Sequence, residues 1–457
     1  MAKNIIERAV ETPAKALEKT IEGSEYVAKE IINQKQVKKA KDFWNLLGPG
    51  LTTGASDDDP SGITTYSQTG AQFGYQLLWL APITFPLMAI VQEMCARIGL
   101  VSGRGLAGNI RMYFPRWVLY TCTILLFIAN TFNLGADLGA MAKAAELILP
   151  KVGFIPLVIG FTVFCLILQI FSTYKKYARV LKWLALILLS YVLSALLIKG
   201  IDWMEIGKST ITPSLTWSKD QIILICAILG TTISPYLFFW QTSQEVEEEI
   251  LAGQTNIEMR KASTTDEQIK DMRIDVWSGM FLSNLVMFFI IVASAAALNT
   301  AGITNIDSAA DAAQALRPLA GDATYFLFAL GIIGTGLLAV PVLAGSASYA
   351  ISESFGWKEG LNKKLSQAYS FYGTIIIAML IGLGINFIGL DPIKALIYSA
   401  VANGLVAPVV LILIVLISSN PKIMGERANG KLTKVFGWGI TGVMVIAGIA
   451  TIYALLY

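Results

Sequence analysis

The chain has 457 residues, 55% of them hydrophobic and only 15% charged, with a net charge of +3 and a mean hydropathy of +0.61. A soluble protein of this length carries about 25% charged residues, so the composition excludes an ordinary water-soluble domain and fits an all-α polytopic membrane protein. The small net charge says little by itself, because position matters more than the sum in a membrane protein, and nothing suggests nucleic-acid binding.

Residues 1–42 are charged, with Ile5, Ile6, Val10, Ala14, Leu17 and Ile21 recurring at roughly helical spacing. They are expected to form a polar cytoplasmic extension lying on the membrane surface. No apolar core of a cleavable signal peptide stands there, so insertion is expected to use the first spanning helix.

Residues 43–457 form the transmembrane part. Apolar runs of about 20 residues are long enough to span a bilayer, and eleven are expected, near 45–68, 75–99, 117–146, 152–173, 180–198, 221–244, 275–299, 323–350, 367–390, 394–418 and 435–456. With the amino terminus in the cytoplasm, 28 of the 35 Lys and Arg fall inside, counting Arg97 and Lys182 at span ends. That alternation follows the positive-inside rule. The carboxyl terminus is then extracytoplasmic, and a bacterial cell membrane is the expected location.

Spans 1 and 6 are unlike the others. "SDDDPSG" interrupts the first and "GTTISPYLF" the sixth. Proline removes a backbone donor and displaces the helix, and Gly or Ser beside it eases unwinding. Two interrupted spans five apart predict an inverted five-helix repeat with a site at the bilayer midplane. The repeats would cover about 45–198 and 221–418, with 435–456 as an added helix. Unwound backbone must face protein or water rather than lipid, and carboxylates at that depth mark an ion path. Freed carbonyls and Asp57, Asp58 and Asp59 together predict an oxygen-rich, negatively charged pocket for a cation.

The stretch "GPGLTTGASDDDPSGITTYSQTGAQFGYQLLWL" resembles the first two helices of the natural resistance-associated macrophage protein (Nramp) family of divalent metal transporters. The match is close at Gly48-Pro49-Gly50 and from Gly70 to Trp79, and it extends to the eleven-helix layout. The resemblance implies a leucine-transporter-like fold with metal bound between broken helices 1 and 6. The family's Asp-Pro-Gly-Asn is here Asp59-Pro60-Ser61-Gly62, so the aspartate is kept and the asparagine lost. In helix 6 the family's methionine is Ser234 and its histidine Tyr236; in helix 3 Asp137 is kept and the glutamate is Ala140. The ligands this implies are Asp59, Asp58, Ser56, Thr231 and Ser234, with Gly62, Tyr236, Asp137 and Asn403 lining the site or its path.

The departures have a chemical direction. A thioether suits soft transition metals, whereas hydroxyl, carbonyl and carboxylate oxygens suit Mg2+, Ca2+ and Mn2+. Mg2+ dehydrates reluctantly and is held through one or two carboxylates with several waters. The pattern is similar to the Nramp-related magnesium transporters and predicts import of Mg2+ and also Mn2+. Histidine titrates near neutral pH, and the chain has none. With the helix-3 glutamate also missing, transport is expected to run without proton coupling, on the ion gradient and the membrane potential.

Three other functions fit the sequence less well. A proton-coupled Mn2+ or Fe2+ symporter lacks its Met, His and Glu. A sodium-coupled amino-acid transporter would have three aspartates repelling a substrate carboxylate. An intramembrane aspartyl protease would need a Gly-x-Gly-Asp signature. There is no phosphate loop or nucleophile elbow, so no enzyme, no cofactor and no obligatory protein partner are expected. Cys95, Cys122, Cys165 and Cys226 fall inside spans and read as small core residues. The run Glu245–Glu249 has two readings, a solvated helix end or a vestibule that draws the cation onward.

Overall fold

A computed structural model describes residues 35–198, 200–306, 309–389 and 392–456. The proposed surface segment of residues 1–42 falls for the most part outside the described residues; Lys35–Leu46 is helical. The chain divides into two units, 1–47 and 48–457, and the second is the subject below.

Among the described residues all regular structure is helical. The spanning elements are α1a (Pro49–Asp57) and α1b (Pro60–Phe73), α2 (Leu80–Ser102), α3 (Arg116–Ile148), α4 (Phe154–Phe171), α5 (Tyr174–Leu197), α6a (Lys219–Thr232) and α6b (Pro235–Leu251). They continue with α7 (Asp266–Ser294), α8 (Ala309–Phe355), α9 (Tyr369–Ile385), α10 (Pro392–Ser418) and α11 (Lys431–Leu456). Nine helices among the described residues are long and apolar enough to cross a membrane, α6a and α6b counting as one, and α9 is a shorter apolar helix. With the broken α1 these account for the eleven expected spans. The largest differences are in length. α8 runs for 47 residues where 323–350 is expected, because the Ala-rich stretch before it continues the helix without being apolar.

The two breaks form where the sequence predicts them. Asp58 (φ −84°, ψ 50°) and Asp59 (φ −67°, ψ 169°) leave helical geometry, and Pro60 opens α1b at a first-turn position where its missing N–H costs nothing. In helix 6, Ile233 (φ −115°, ψ 57°) and Ser234 (φ −82°, ψ 132°) do the same before Pro235.

The half-helix α1a is too short to stand on propensity and is held from outside. Asp275 of α7 accepts hydrogen bonds from the backbone N–H groups of Gly48 (2.8 Å), Gly50 (2.7 Å) and Leu51 (3.0 Å), and so caps α1a from 225 residues away. Along the same seam the backbones touch. A Cβ on Gly54 would fall 2.3 Å from the Gly279 carbonyl carbon, and one on Gly50 would fall 2.5 Å from the Val276 nitrogen. Small residues four apart allow this approach. α6a meets α10 similarly, with Gly230 against the Ala400 carbonyl and Gly404.

The seam is testable. Gly54→Leu should prevent folding or lower the melting temperature by several degrees, since the side chain meets backbone that cannot yield. Gly442→Leu, on α11 with open space at its Cβ position, should change it little. Equal effects of the two substitutions in a thermal-shift measurement would refute a seam built on backbone contact.

Candidate cation site between the broken helices

The broken ends of α1 and α6 are joined directly. The Tyr236 hydroxyl, on the first turn of α6b, donates to the Ser56 carbonyl on the last turn of α1a at 2.7 Å. Ser346 of α8 in turn donates to the Tyr236 carbonyl at 2.7 Å. Ser56 turns its own hydroxyl back onto the Thr52 carbonyl (2.7 Å), and Ser234 donates to the Gly230 (2.6 Å) and Thr231 (2.8 Å) carbonyls. Ser234 therefore satisfies acceptors that the end of α6a leaves without an intrahelical donor, and its oxygen lone pairs remain free to accept. Gly62 of α1b sits against α6a, where a Cβ would lie 2.9 Å from the Thr231 hydroxyl oxygen. The room given up by the missing asparagine is thus partly occupied by Thr231.

The three aspartates have different surroundings. Asp59 caps α1b: one oxygen accepts from Ser61 Oγ (2.6 Å) and Gly62 N–H (2.7 Å), and the other from Asn133 Nδ2 of α3 (2.9 Å). Ser399 of α10 donates to Asn133 Oδ1 at 2.7 Å, so a chain of three residues fixes that carboxylate. Asp57 accepts from Ser283 of α7 through one oxygen at 2.8 Å, and its other oxygen has no partner among the described residues. Asp58 has no hydrogen-bond partner on either oxygen, nor has Asp137 of α3 on either, nor Asn403 of α10 on Oδ1. Apart from Gly62, which is also buried, none of the candidate residues exceeds 1% exposure. The site is closed to solvent from both ends.

Buried carboxylates without a donor are costly, and Asp58 with Asp137 leaves four such oxygens inside. The described residues nevertheless form no group of three or more His, Cys, Asp or Glu side chains arranged to hold a metal. The carboxylates are distributed around the breaks rather than gathered into a cage. A cation entering here would keep part of its coordination from carbonyls, hydroxyls and water.

Asn133, Ser283 and Ser399 are not in the sequence-based set. Asn133 was readable: it precedes Asp137 by four residues in an apolar span, which puts both on one face of a helix. Ser283 and Ser399 carry no such signal, being single hydroxyls whose partners lie more than 200 residues away.

The acidic run of α6b is not the solvated helix end that was one of its two readings. Glu245, Glu247 and Glu249 are buried, not solvated. Glu247 accepts from the Tyr349 hydroxyl and from the Leu361 N–H (2.7 Å), and Glu248 accepts from the Tyr174 hydroxyl (2.8 Å). Glu353 of α8 accepts from Gly108 N–H (2.8 Å) and Ser243 (3.0 Å). These bonds tie the end of α6b to the loops around it. Glu247 and Glu353 line a cavity of about 310 Å3 that also receives Arg104, Arg111, Arg260 and Glu359, and none of the candidate ligands reaches it. In the loop beyond α8, burial pushes the Glu359 carboxyl up to about 9, with the charge of Glu353 acting in the same direction.

Comparison with known proteins agrees with this geometry. The family described as natural resistance-associated macrophage protein-like matches residues 50–454. A manganese transporter of Eremococcus coleocola, solved with an aromatic bis-isothiourea substituted compound, superposes with a TM-score of 0.69 at 19% identity over 89% of this chain and 86% of that one. Mhp1, a nucleobase-cation-symport-1 family transporter in a closed conformation with bromovinylhydantoin bound, superposes at 0.55 with 12% identity, over 89% and 92%. At such identities the likeness is one of fold: the leucine-transporter-like arrangement with broken helices 1 and 6 is the architecture found. The family match spans nearly the whole chain, and this protein belongs to the natural resistance-associated macrophage protein-like (Nramp) family.

Proposed function

We propose that the protein is a secondary transporter importing divalent cations, Mg2+ foremost and Mn2+ with it, without proton coupling. The observation that carries this is the donor set at the two breaks. The candidate ligands Asp58, Asp59, Ser56, Thr231 and Ser234 offer only oxygen, in a buried site where the Asp58 carboxylate makes no well-formed hydrogen bond among the described residues. Oxygen donors favour Mg2+ and Mn2+ over soft ions. The scattering of the carboxylates suits an ion that keeps several waters and takes one or two carboxylates.

Asp59 and Asp58 have complementary parts in this reading. Ligating carboxylates are themselves hydrogen-bonded by an outer set of residues that aims them, and Ser61, Gly62 and Asn133 do this for Asp59. Asp58 has both oxygens free for the ion or its water. Tyr236 stands where the family has histidine and spends its hydroxyl as a strut onto Ser56; a phenol does not titrate near neutral pH as an imidazole does. The relative solved from Eremococcus coleocola is called a manganese transporter, and Mn2+ shares the oxygen preference of Mg2+. The amino terminus is placed in the cytoplasm, so that basic loops lie inside a bacterial inner membrane and the cation enters down the potential. For two charges at 100 mV that is about 4.6 kcal/mol.

Uptake by proteoliposomes tests the energetics and selectivity together. Mg2+ and Mn2+ should enter, faster under an imposed inside-negative K+-diffusion potential, with Cd2+ not preferred and with no change in internal pH. A substrate-dependent pH change absent from empty vesicles, or tight Cd2+ binding at the breaks, would return the protein to proton-coupled transport of soft metals.

Substitutions separate the two aspartates. Asp58→Ala removes a carboxylate that makes no protein hydrogen bond, so it should reduce uptake at least tenfold while leaving thermal stability equal or higher. Asp59→Asn keeps an oxygen to cap α1b but loses the charge, and should reduce uptake similarly. Asp59→Ala also loses the cap, worth about 0.5–2 kcal/mol, and should lower the melting temperature as well. Undiminished uptake in correctly inserted Asp59→Asn would contradict the assignment.

A further inference from the structure

A second cavity, of about 550 Å3, lies away from the breaks, between the α4–α5 turn and the α8–α9 connection. Its volume is in the range of small-molecule sites. Its lining differs from that of the mixed-charge cavity beside it: Lys175, Lys363 and Lys364 enter it and no Asp or Glu does. Lys175 and Lys364 are exposed, and Ser172, Thr173 and Ser366 bring three hydroxyls to the same lining. Lys363 donates its Nζ to the Glu359 carbonyl beside the first cavity, so the charges left to this one are Lys175 and Lys364, with three hydroxyls beside them and no carboxylate in the lining.

The position of the cavity says what would fill it. Phe171 is the last residue of α4 and Tyr369 the first of α9, both line the cavity, and they are 75% and 69% exposed. The cavity thus opens where two apolar helices end, at the level where a bilayer passes from acyl chains to headgroups and where aromatic side chains gather. A basic pocket between spanning helices at that level, with an apolar flank, matches a lipid that has a phosphate above and a chain below.

We propose that this cavity binds the headgroup of an anionic phospholipid, with Lys175 and Lys364 at the phosphate, the serine and threonine hydroxyls donating to its oxygens, and an acyl chain running along Phe171 and Tyr369. Under the proposed orientation it is a lipid of the cytoplasmic leaflet. The inference rests on the helices crossing a bilayer and is independent of which ion is carried.

The cavity has one link to helix 6. Leu361 and Asn362 line it, and their backbone N–H groups also donate to Glu247 at the end of α6b. A bound lipid would hold the connection that closes over α6b.

Native mass spectrometry of the full chain in neutral detergent tests the site, with phosphatidylglycerol as the probe, and phosphatidylcholine and inorganic phosphate as comparisons. The wild type should retain one phosphatidylglycerol more tightly than phosphatidylcholine and should not retain phosphate. Each lysine near a headgroup contributes about fivefold, so the K175Q/K364Q double variant should bind phosphatidylglycerol about 10- to 30-fold more weakly. The K175R/K364R variant should restore binding, and Lys176→Gln, next to the cavity but not lining it, should leave it unchanged. Unaltered binding in K175Q/K364Q, an equal loss in Lys176→Gln, or equal retention of phosphatidylcholine would overturn the proposal. Retention of inorganic phosphate would overturn it in favour of a soluble anion. Both lysines are exposed, so the variants should fold, which the same spectra and a melting curve verify.

Discussion

The structure turns on a charge placed where water does not reach. Three consecutive aspartates stand at the break in helix 1, each nearly or wholly without solvent contact. Burying an ionised carboxylate is tolerable only with compensating donors or a counter-ion. Asp59 has three donors, Asp57 has one and Asp58 has none. That gradient distinguishes the three more finely than the aspartate run itself: Asp59 holds the backbone of α1b, and under the proposed function both it and the less satisfied Asp58 turn to the ion.

Everything that keeps the breaks open follows from the same constraint. Unwound backbone inside a membrane protein has to be matched by protein groups, and the matching comes from long range. Asp275 supplies the amide acceptor for the start of α1a, Tyr236 the donor for its end, and the Asn133–Ser399 pair the support for α1b. Proline alone would only break a helix. These partners are what make two stable half-helices of it.

The spans, their order and both breaks could be read from the sequence, because membrane helices are signalled by local apolar length and interruptions by local Pro, Gly and charge. What could not be read are pairings between residues far apart. Asp59 was identified as the motif carboxylate, but its capping of α1b depends on Asn133, which only its spacing from Asp137 would have brought forward. The Glu245–Glu249 run looked like a solvated helix end, since nothing local shows that Tyr349, Tyr174 and the Leu361 amide close over it. Charge density along a chain does not say whether the donors that would bury it are present elsewhere.

The glycine seam between α1a and α7 constrains how the protein can move. Where two backbones touch with no side chains between them, there is no layer of rotamers to slide over, and the Asp275 bonds fix the register of the contact. Sliding α1a along α7 would cost those bonds and meet backbone. Any opening of the site from that side has to be taken up at Asp58 and Asp59, where the peptide ladder of helix 1 is already interrupted. Under the proposed function the residues that would face the ion are also that interruption, so filling the site would bear directly on how freely helix 1 bends there.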